Sequence, residues 1–374
     1  MAKALFIYDS PDKNADLYYA CGFRAFRAAV FFELKGKKHM VLGDLEFDRC
    51  KLESKIEHVL SLSRYTALAV KKNKSPTQED ILDEILKGHG IDELVVHATT
   101  PFMLVDNLRK RGYKIKSGPI PFYPERFIKT QLERKYITNV QRSIFAAIDM
   151  AKGVLKASKI KGNRLVYKSE TLTSERLRTM INIFLLEREA LSNDTIVAGG
   201  EDAVNPHAAG SGPLRAHQSI VIDIFPYSTK NFYFGDATRT FCKGHAPEAL
   251  KKMYATVNEG QKIGLKMVCD GANGRTIHRA ITDYFDKMGY HTGEKNGRFQ
   301  GFIHGTGHSI GLEAHEEPLR IGLRNCILNA GNVMSVEPGL YYEGIGGVRI
   351  EDLVYVTKTG CEVLSGYPKK LEII

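Results

Sequence analysis

The sequence lacks any apolar run near the roughly 18 residues that a membrane-spanning helix needs. Its first residues also lack the apolar core and the cleavage site of a secretory signal peptide. The six cysteines are scattered and include no CxxC pair, a pattern that favours reduced thiols over a disulfide framework. These absences predict a cytoplasmic protein that does not act at a membrane.

No block of five or six basic residues is present, although the formal net charge is +10. The lysines are spread along the whole chain, which indicates solvated surface charge rather than a face that binds nucleic acid. We therefore expect no nucleic-acid partner. The composition, 43% hydrophobic and 26% charged, is that of an ordinary globular protein, and 374 residues suffice for two domains.

Residues 1–125 predict an N-terminal domain of mixed α/β type, because short apolar runs alternate with helical patterns. Ala4–Tyr8 predicts a strand, and residues 27–45 predict a hairpin around a Lys/Gly turn. Ser75-Pro-Thr-Gln78 matches a capping box with proline at the first helical position, which predicts that a helix starts there.

Residues 130–374 predict a second domain, separated from the first by a stretch with three prolines at 119–126. Its pattern predicts helices at 132–159, 174–190 with Thr173 as cap, 247–268 and 273–288, and strands at 219–225, 232–234, 332–336 and 347–356. The whole chain is therefore expected to be α/β (α+β).

Four acidic residues interrupt or end these predicted strands, namely Asp223, Asp236, Glu337 and Glu351. A carboxylate buried in a strand is several kcal/mol unfavourable unless it is paired or binds a metal. A salt bridge or an edge position would explain any one of them. Four together would repel one another unless divalent cations neutralised them, and carboxylates with an imidazole suit Mn, Co, Fe or Zn.

Residues 302–318 hold three histidines, His304, His308 and His315, among closely spaced glycines. Glycine at this density argues against a helix and predicts tight turns that can hold imidazoles around a fixed point. The alternative is a glycine-rich surface loop with incidental histidines.

Five residues resemble, in chain order and local context, the metal ligands of the pita-bread metallopeptidases, namely Asp223, Asp236, His308, Glu337 and Glu351. That family includes methionine aminopeptidase, aminopeptidase P, prolidase and creatinase. The resemblance rests on Asn205-Pro-His207, Ile222-Asp223, Asp236-Ala-Thr-Arg-Thr-Phe241, His304-Gly-Thr-Gly-His308, His315-Glu, Val336-Glu337-Pro-Gly339 and Arg349-Ile-Glu351-Asp352. Asp16–Phe23 resembles the N-terminal domain of the prolidase and aminopeptidase P branch. This implies a pita-bread catalytic domain after the N-terminal one, and hydrolysis of Xaa-Pro bonds in peptides with proline in the second position.

The resemblance also implies the site. Two divalent ions, manganese first with cobalt, zinc or iron as alternatives, would be held by Asp223, Asp236, His308, Glu337 and Glu351. Glu337 would also relay a proton, and the catalytic set would be completed by His207, His304, His315 and Arg349.

The implied roles differ among these residues. His207 would contact the scissile amide or its neighbour, His304 would line the prolyl side, and His315 would stabilise the oxyanion. Arg349 would orient Glu351 or a neighbouring carboxylate, and Thr238 would orient Asp236 unless its hydroxyl is only structural. A homodimer is implied as well.

Two departures and several alternatives stay open. The sequence has Asp223-Ile-Phe225 where the family commonly has Asp-x-Gly, and the loop that follows, up to Asp236, is about two residues longer than usual. Substrate detail could differ accordingly, between an aminopeptidase, a dipeptidase and a methionine aminopeptidase-like specificity. A creatinase-like C–N hydrolase without metal and a non-catalytic binding module are further alternatives, both opposed by the five intact ligand residues.

Overall fold

The computed structural model describes residues 2–374, and the chain divides into two compact units. The first ends at Arg126, and the second spans Phe127–Ile374. Within residues 2–374, no helix has both the length and the apolar character needed to cross a bilayer.

The first unit is built on one mixed six-stranded sheet in the order β4-β3-β2-β1-β5-β6. Its strands are β1 Ala2–Asp9, β2 Ala29–Leu34, β3 Lys37–Leu42, β4 His58–Ser61, β5 Ile91–Val96 and β6 Lys114–Ser117. Its helices are α1 Ala15–Cys21, α2 Asp44–Glu53, α3 Leu62–Lys72, α4 Gln78–Gly88 and α5 Phe102–Lys110. Alternate side chains of β1 enter different cores, Phe6 packing with Leu82 and Ile7 with Leu17, as strand geometry requires.

The predicted strand and hairpin of this unit are confirmed by β1 and by the antiparallel pairing of β2 with β3. The predicted helix start is wrong by two residues, because the N-cap is Thr77 rather than Ser75. Thr77 Oγ1 accepts the Asp80 N–H, and Asp80 Oδ2 accepts the Thr77 N–H in return. This reciprocal pair fixes the first turn of α4.

The second unit holds four helices: α6 Gln131–Ala157, α7 Ser174–Leu186, α8 Glu248–Met267 and α9 Gly274–Lys287. Its strands are β7 Lys159–Lys161, β8 Arg164–Tyr167, β9 Glu170–Thr171, β10 Ala190–Leu191, β11 Ile196–Gly199, β12 Ile220–Ile224, β13 Tyr227–Ser228, β14 Ala237–Lys243, β15 Gly293–Lys295, β16 Arg298–Gln300, β17 Gly307–His308, β18 Arg320–Ile321, β19 Val333–Val336, β20 Gly339–Tyr342, β21 Gly346–Arg349, β22 Asp352–Val356, β23 Cys361–Val363 and β24 Glu372–Ile373.

Two hydrophobic cores organise this unit. The first joins α6 and α7 to the sheet β11-β12-β14-β24, and the second joins α8 and α9 to β19, β20, β21 and β22. The positions predicted for the buried face of α6 lie in the first core: Ile144, Ala147, Ile148, Ala151, Val154 and Leu155. Thr173 caps α7 as predicted, its side chain accepting the Arg176 N–H.

Two predicted strands of this unit are wrong. Residues 232–234 form no strand, because Phe232 has a left-handed backbone (φ 61°) and its N–H closes a turn on the Ser228 carbonyl. Residues 347–356 form two strands, since β21 pairs with β20 whereas β22 pairs with β19. The chain changes partner at Glu351, which leaves that residue between strands.

Candidate metal centre and active site

Two antiparallel strands supply the first wall of the site. Asp223 lies in β12 directly opposite Thr238 of β14, and Asp236 immediately precedes β14. The Gln141 side chain of α6 fixes the Asp236 main chain, accepting its N–H at 2.9 Å and donating to its carbonyl at 2.6 Å. Sequence reasoning missed Gln141, whose signal is an amide on the apolar face of α6.

The break between β21 and β22 supplies the second wall. The Glu351 N–H donates to the Thr238 carbonyl at 3.1 Å, and the Thr238 hydroxyl donates to Glu351 Oε2 at 2.8 Å. Glu351 is only 1% exposed. Thr238 was predicted to orient Asp236; its hydroxyl instead holds Glu351, because the strand break brings that carboxylate against β14.

His308 and Glu337 form the third wall. His308 Nε2 lies 3.3 Å from Glu337 Oε1 and 3.6 Å from Asp236 Oδ2. His308 Nδ1 lies 3.2 Å from the Ser309 carbonyl, and in the tautomer that donates Nδ1–H to this carbonyl Nε2 is free to bind a metal. The Ser335 hydroxyl donates to Glu337 Oε1 at 3.2 Å.

These walls converge on one point. One ligand atom each of Asp236, His308 and Glu351 lie within 4.8 Å of one another, and all three side chains are buried. Burial raises the pKa of Asp236, and the charges of Glu351, Asp223 and Glu337 raise it further. Burial and the charges of Glu337 and Asp223 likewise raise the pKa of Glu351. The cluster therefore disfavours its own ionisation unless a cation is supplied.

Glu337 shows the opposite shift. Burial opposes its ionisation, but the hydrogen bond and charge of His308, with the charges of His304 and Arg349, lower its pKa to about 2. Glu337 therefore stays ionised at neutral pH.

The residues present fit a divalent metal. Asp223 Oδ1 and Glu351 Oε1 are buried carboxylate oxygens without a hydrogen-bond partner among residues 2–374. Buried acceptors of this kind are unfavourable unless a donor or a cation satisfies them. Carboxylate oxygens with one imidazole nitrogen are a donor set suited to Mn, Co, Fe or Zn.

Arg349 lies behind this cluster and is 3% exposed. Its Nη2 lies 2.5 Å from Asp223 Oδ2, its Nε donates to the Thr238 hydroxyl, and its Nη1 donates to the Tyr341 hydroxyl at 2.7 Å. The Tyr341 hydroxyl in turn lies 2.9 Å from His304 Nε2. Tyr341 was missed by sequence reasoning, because it reads as one more apolar position of a strand.

The remaining predicted histidines differ in their surroundings. Burial lowers the pKa of His304 to about 4, helped by the charges of Arg349 and His207. Partial burial, with the charges of His308 and Arg320, lowers the pKa of His315 to about 4. The His308 and His315 rings meet edge to face, with centroids 4.2 Å apart. His207 is exposed, on a loop beside His304.

The loop between Asp223 and Asp236 is closed on itself. The Gly235 N–H donates to the Pro226 carbonyl, and the Ser228 N–H donates to the Tyr233 carbonyl. The Tyr233 hydroxyl donates to Glu133 of α6 at 2.6 Å. The additional residues therefore form an anchored turn beside the site.

Comparison with known proteins shows that the chain is similar to peptidases. Residues 136–358 match the model of metallopeptidase family M24. A Xaa-Pro dipeptidase of Pyrococcus horikoshii is 26% identical over 368 residues, covering 96% of this chain and 92% of that protein. A Xaa-Pro dipeptidase structure from Bacillus anthracis aligns with a TM-score of 0.82 and 24% identity, over 100% of this chain and 95% of that one.

A further structure, an X-Pro aminopeptidase from Thermotoga maritima, aligns with a TM-score of 0.80 and 23% identity, over 99% of this chain and 95% of that one. At this identity the two structures establish the fold. They confirm the predicted fold class, an α/β N-terminal unit followed by a pita-bread unit, along the whole chain.

Proposed function

Because this chain belongs to metallopeptidase family M24, we propose that it hydrolyses the bond between an N-terminal residue and a following proline. Relatives that match along nearly the whole chain are Xaa-Pro dipeptidases, which supports this substrate class. The observation that carries the proposal is the buried cluster of carboxylates around His308, in which two carboxylate oxygens accept no hydrogen bond from the residues that the structure describes.

The cofactor proposal is two divalent ions, manganese first, with cobalt, zinc or iron as alternatives. They would be held by Asp223, Asp236, His308, Glu337 and Glu351. Two ions are proposed because five side chains contribute and because one ion would leave much of the cluster's negative charge uncompensated. Such ions, when bound, lower the pKa of a water and polarise a carbonyl oxygen.

The chain's own groups then divide the remaining work. Glu337 is ionised and accepts a hydrogen bond from the Ser335 hydroxyl, so it is positioned to accept a proton beside the scissile carbonyl. A histidine with a pKa of about 4 is neutral near pH 7, so His315 can donate an N–H to a developing oxyanion without adding a charge.

His304 and His207 would contact the substrate instead. His304 Nδ1 lies 2.7 Å from the Gly305 carbonyl and its Nε2 lies 2.9 Å from the Tyr341 hydroxyl. With both nitrogens engaged, His304 is suited to form a wall of the prolyl pocket rather than to move protons. The exposed His207 would reach the scissile amide.

We further infer a cytoplasmic homodimer that acts on peptides. Six free cysteines support a reducing compartment, and the dispersed basic charge supports the absence of a nucleic-acid partner. The dimer is proposed from the resemblance to the family.

The test starts from protein stripped with a chelator and reloaded with Mn²⁺, Co²⁺ or Zn²⁺. Xaa-Pro dipeptides and longer Xaa-Pro-Xaa peptides are the substrates, and the same peptides with alanine in the second position are controls. Metal-dependent cleavage of the proline peptides alone is expected. Cleavage of dipeptides only would assign a dipeptidase, and cleavage of longer peptides an aminopeptidase. Activity that persists without metal would point to the creatinase-like alternative, and no cleavage would reject the proposal.

Substitution separates the site from the scaffold. Asp236→Ala is expected to abolish cleavage, whereas Asp283→Ala, on the exposed face of α9, is the matched control and should leave it unchanged.

A further inference from the structure

A buried ion pair lies beside the proposed active site but outside the predicted ligand and catalytic sets. Lys129 Nζ lies 2.6 Å from Glu316 Oε2, and the two side chains are 1% and 3% exposed. Burying two charges is unfavourable through lost hydration, so such a pair is weak evidence for stability by itself. The contacts of each partner indicate another role.

Glu316 closes the loop that carries His315. Its N–H donates to the Ser309 carbonyl at 2.9 Å, and its Oε1 accepts the Leu312 N–H at 3.0 Å. Gly311 allows this approach, because a Cβ there would lie 2.4 Å from Glu316 Oε1. The carboxylate thus occupies the inside of the turn between His308 and His315.

Lys129 is presented from a fixed stretch of main chain. Its N–H donates to the Gly331 carbonyl at 2.8 Å, and the Asn332 side chain donates to the Phe127 carbonyl at 2.9 Å. Thr130, the next residue, is the N-cap of α6 and closes a capping box with Glu133. The ammonium therefore reaches the His315 loop from a base that packing and hydrogen bonds already hold.

We propose that Lys129 and Glu316 are positioning residues, which hold the 309–316 loop so that the His315 ring packs against His308 and faces the reacting carbonyl. Neither residue contacts the substrate. The expected change in kcat rests on the proposed peptidase function, whereas the expected change in the position of His315 does not depend on it. Without the Lys129 ammonium, the Glu316 carboxylate would lose its contact at 2.6 Å, and the turn that it closes would be held less firmly.

The kinetic experiment compares Lys129→Met, Lys129→Arg, Glu316→Gln and the Lys129→Met/Glu316→Gln double variant with the wild type. Lys262→Met is the control, since Lys262 pairs with Glu259 at the surface of α8 in the same unit. For Lys129→Met we expect kcat to fall about tenfold or more, with KM and the Mn²⁺ dissociation constant changed less than about threefold. Lys129→Arg should recover at least about threefold, because it keeps a cation at this position, whereas the double variant should recover only part of the loss and stay below the wild-type kcat, because the loop still lacks the ion pair.

A second readout needs no activity. Diethyl pyrocarbonate modifies accessible imidazoles, and peptide mass spectrometry gives its rate at His315 relative to the exposed His291. Lys129→Met should raise the relative rate at His315 about threefold or more, and the control should not. If the wild type does not cleave Xaa-Pro peptides but Lys129→Met still raises the relative modification rate at His315, the proposed function is rejected and the positioning role is retained.

Other outcomes would overturn the inference. These are unchanged kcat and unchanged His315 reactivity in Lys129→Met, or a parallel loss of kcat, Mn²⁺ affinity and melting temperature, which would mark a general structural role. If Lys129→Met does not fold, a folded double variant with wild-type kcat and wild-type His315 reactivity would overturn it equally.

Discussion

Arg349 Nη2 lies 2.5 Å from Asp223 Oδ2, so a cation of the chain already binds one oxygen of a carboxylate predicted to bind metal. The other oxygen, Oδ1, has no hydrogen-bond partner in the described part of the chain. The guanidinium therefore fixes the carboxylate and leaves one oxygen available. The same guanidinium also contacts Thr238 and Tyr341, so these contacts, and not charge alone, fix its orientation towards Asp223.

Lys in place of Arg349 should preserve the charge and lose the fork of contacts. We expect Arg349→Lys to lower kcat/KM about 100-fold while the melting temperature changes by only a few degrees. Arg349→Met should also destabilise the chelator-treated protein, because it leaves a buried carboxylate without its counterion. Steady-state kinetics and calorimetry check both effects. Wild-type kcat/KM in Arg349→Lys would contradict this role.

Removing one carboxylate should stabilise the metal-free protein. Burial and three neighbouring carboxylates raise the pKa of Asp236, so its ionised form opposes folding at neutral pH. Asp236→Asn is expected to melt higher than the wild type in chelator and to lose the gain that the wild type shows with Mn²⁺. Thermal melts with chelator and with Mn²⁺ test this, with Asp283→Asn as control. A lower melting temperature in chelator would contradict the prediction.

The hydroxyl of Tyr341 should matter more than its ring. The ring is fully buried, and the hydroxyl joins Arg349 to His304. Tyr341→Phe should lower kcat about tenfold, by releasing His304 and one contact of Arg349, with Mn²⁺ affinity changed less than about threefold. Tyr342→Phe, on the neighbouring residue, is the matched control. Equal kcat in both variants would remove Tyr341 from the site's support.

The first unit should lose stability in acid through Asp16. Burial opposes ionisation of this carboxylate, but hydrogen bonds from His97 and Arg126, with the charge of Arg126 and the Phe122 N–H, lower its pKa to about 2. A lowered carboxylate pKa stabilises the fold above the unfolded-state value near 4, and that contribution is lost as the pH falls towards 2. The loss amounts to about 2 kcal/mol.

Denaturant unfolding between pH 6 and pH 2 measures this contribution. Asp16→Asn should be less stable than the wild type at pH 6, and the difference should shrink as the pH falls below 4. A constant difference across that range would mean that Asp16 acts through packing rather than through its charge.

Local patterns predicted the elements whose determinants are local. The apolar face of α6 and the Thr173 cap need only neighbouring residues, so the sequence indicates them directly. The absence of a strand at 232–234 depends on a left-handed Phe232, which a run of aromatic residues conceals. The break at Glu351 arises because β21 pairs with β20 whereas β22 pairs with β19.

The supporting residues of the site were beyond reach for a different reason. Gln141 contacts Asp236 across 95 positions, and Lys129 contacts Glu316 across 187. Each acts on a partner that only the fold brings near, and in the sequence each is an ordinary polar residue. Residues that carry the proposed chemistry stood out through unusual types in apolar strands, whereas those that hold them did not.

Binding of the proposed ions depends on the strand register in which Asp223 pairs with Thr238. A slip of one residue between β12 and β14 would turn the Thr238 hydroxyl away from Glu351 and set Ala237 or Arg239 opposite Asp223. A chain with the shifted register would bind no ion, whereas a chain with the correct register would gain the full free energy of metal binding. Metal binding would thus stabilise only the molecules with the correct strand register, before any peptide is cut.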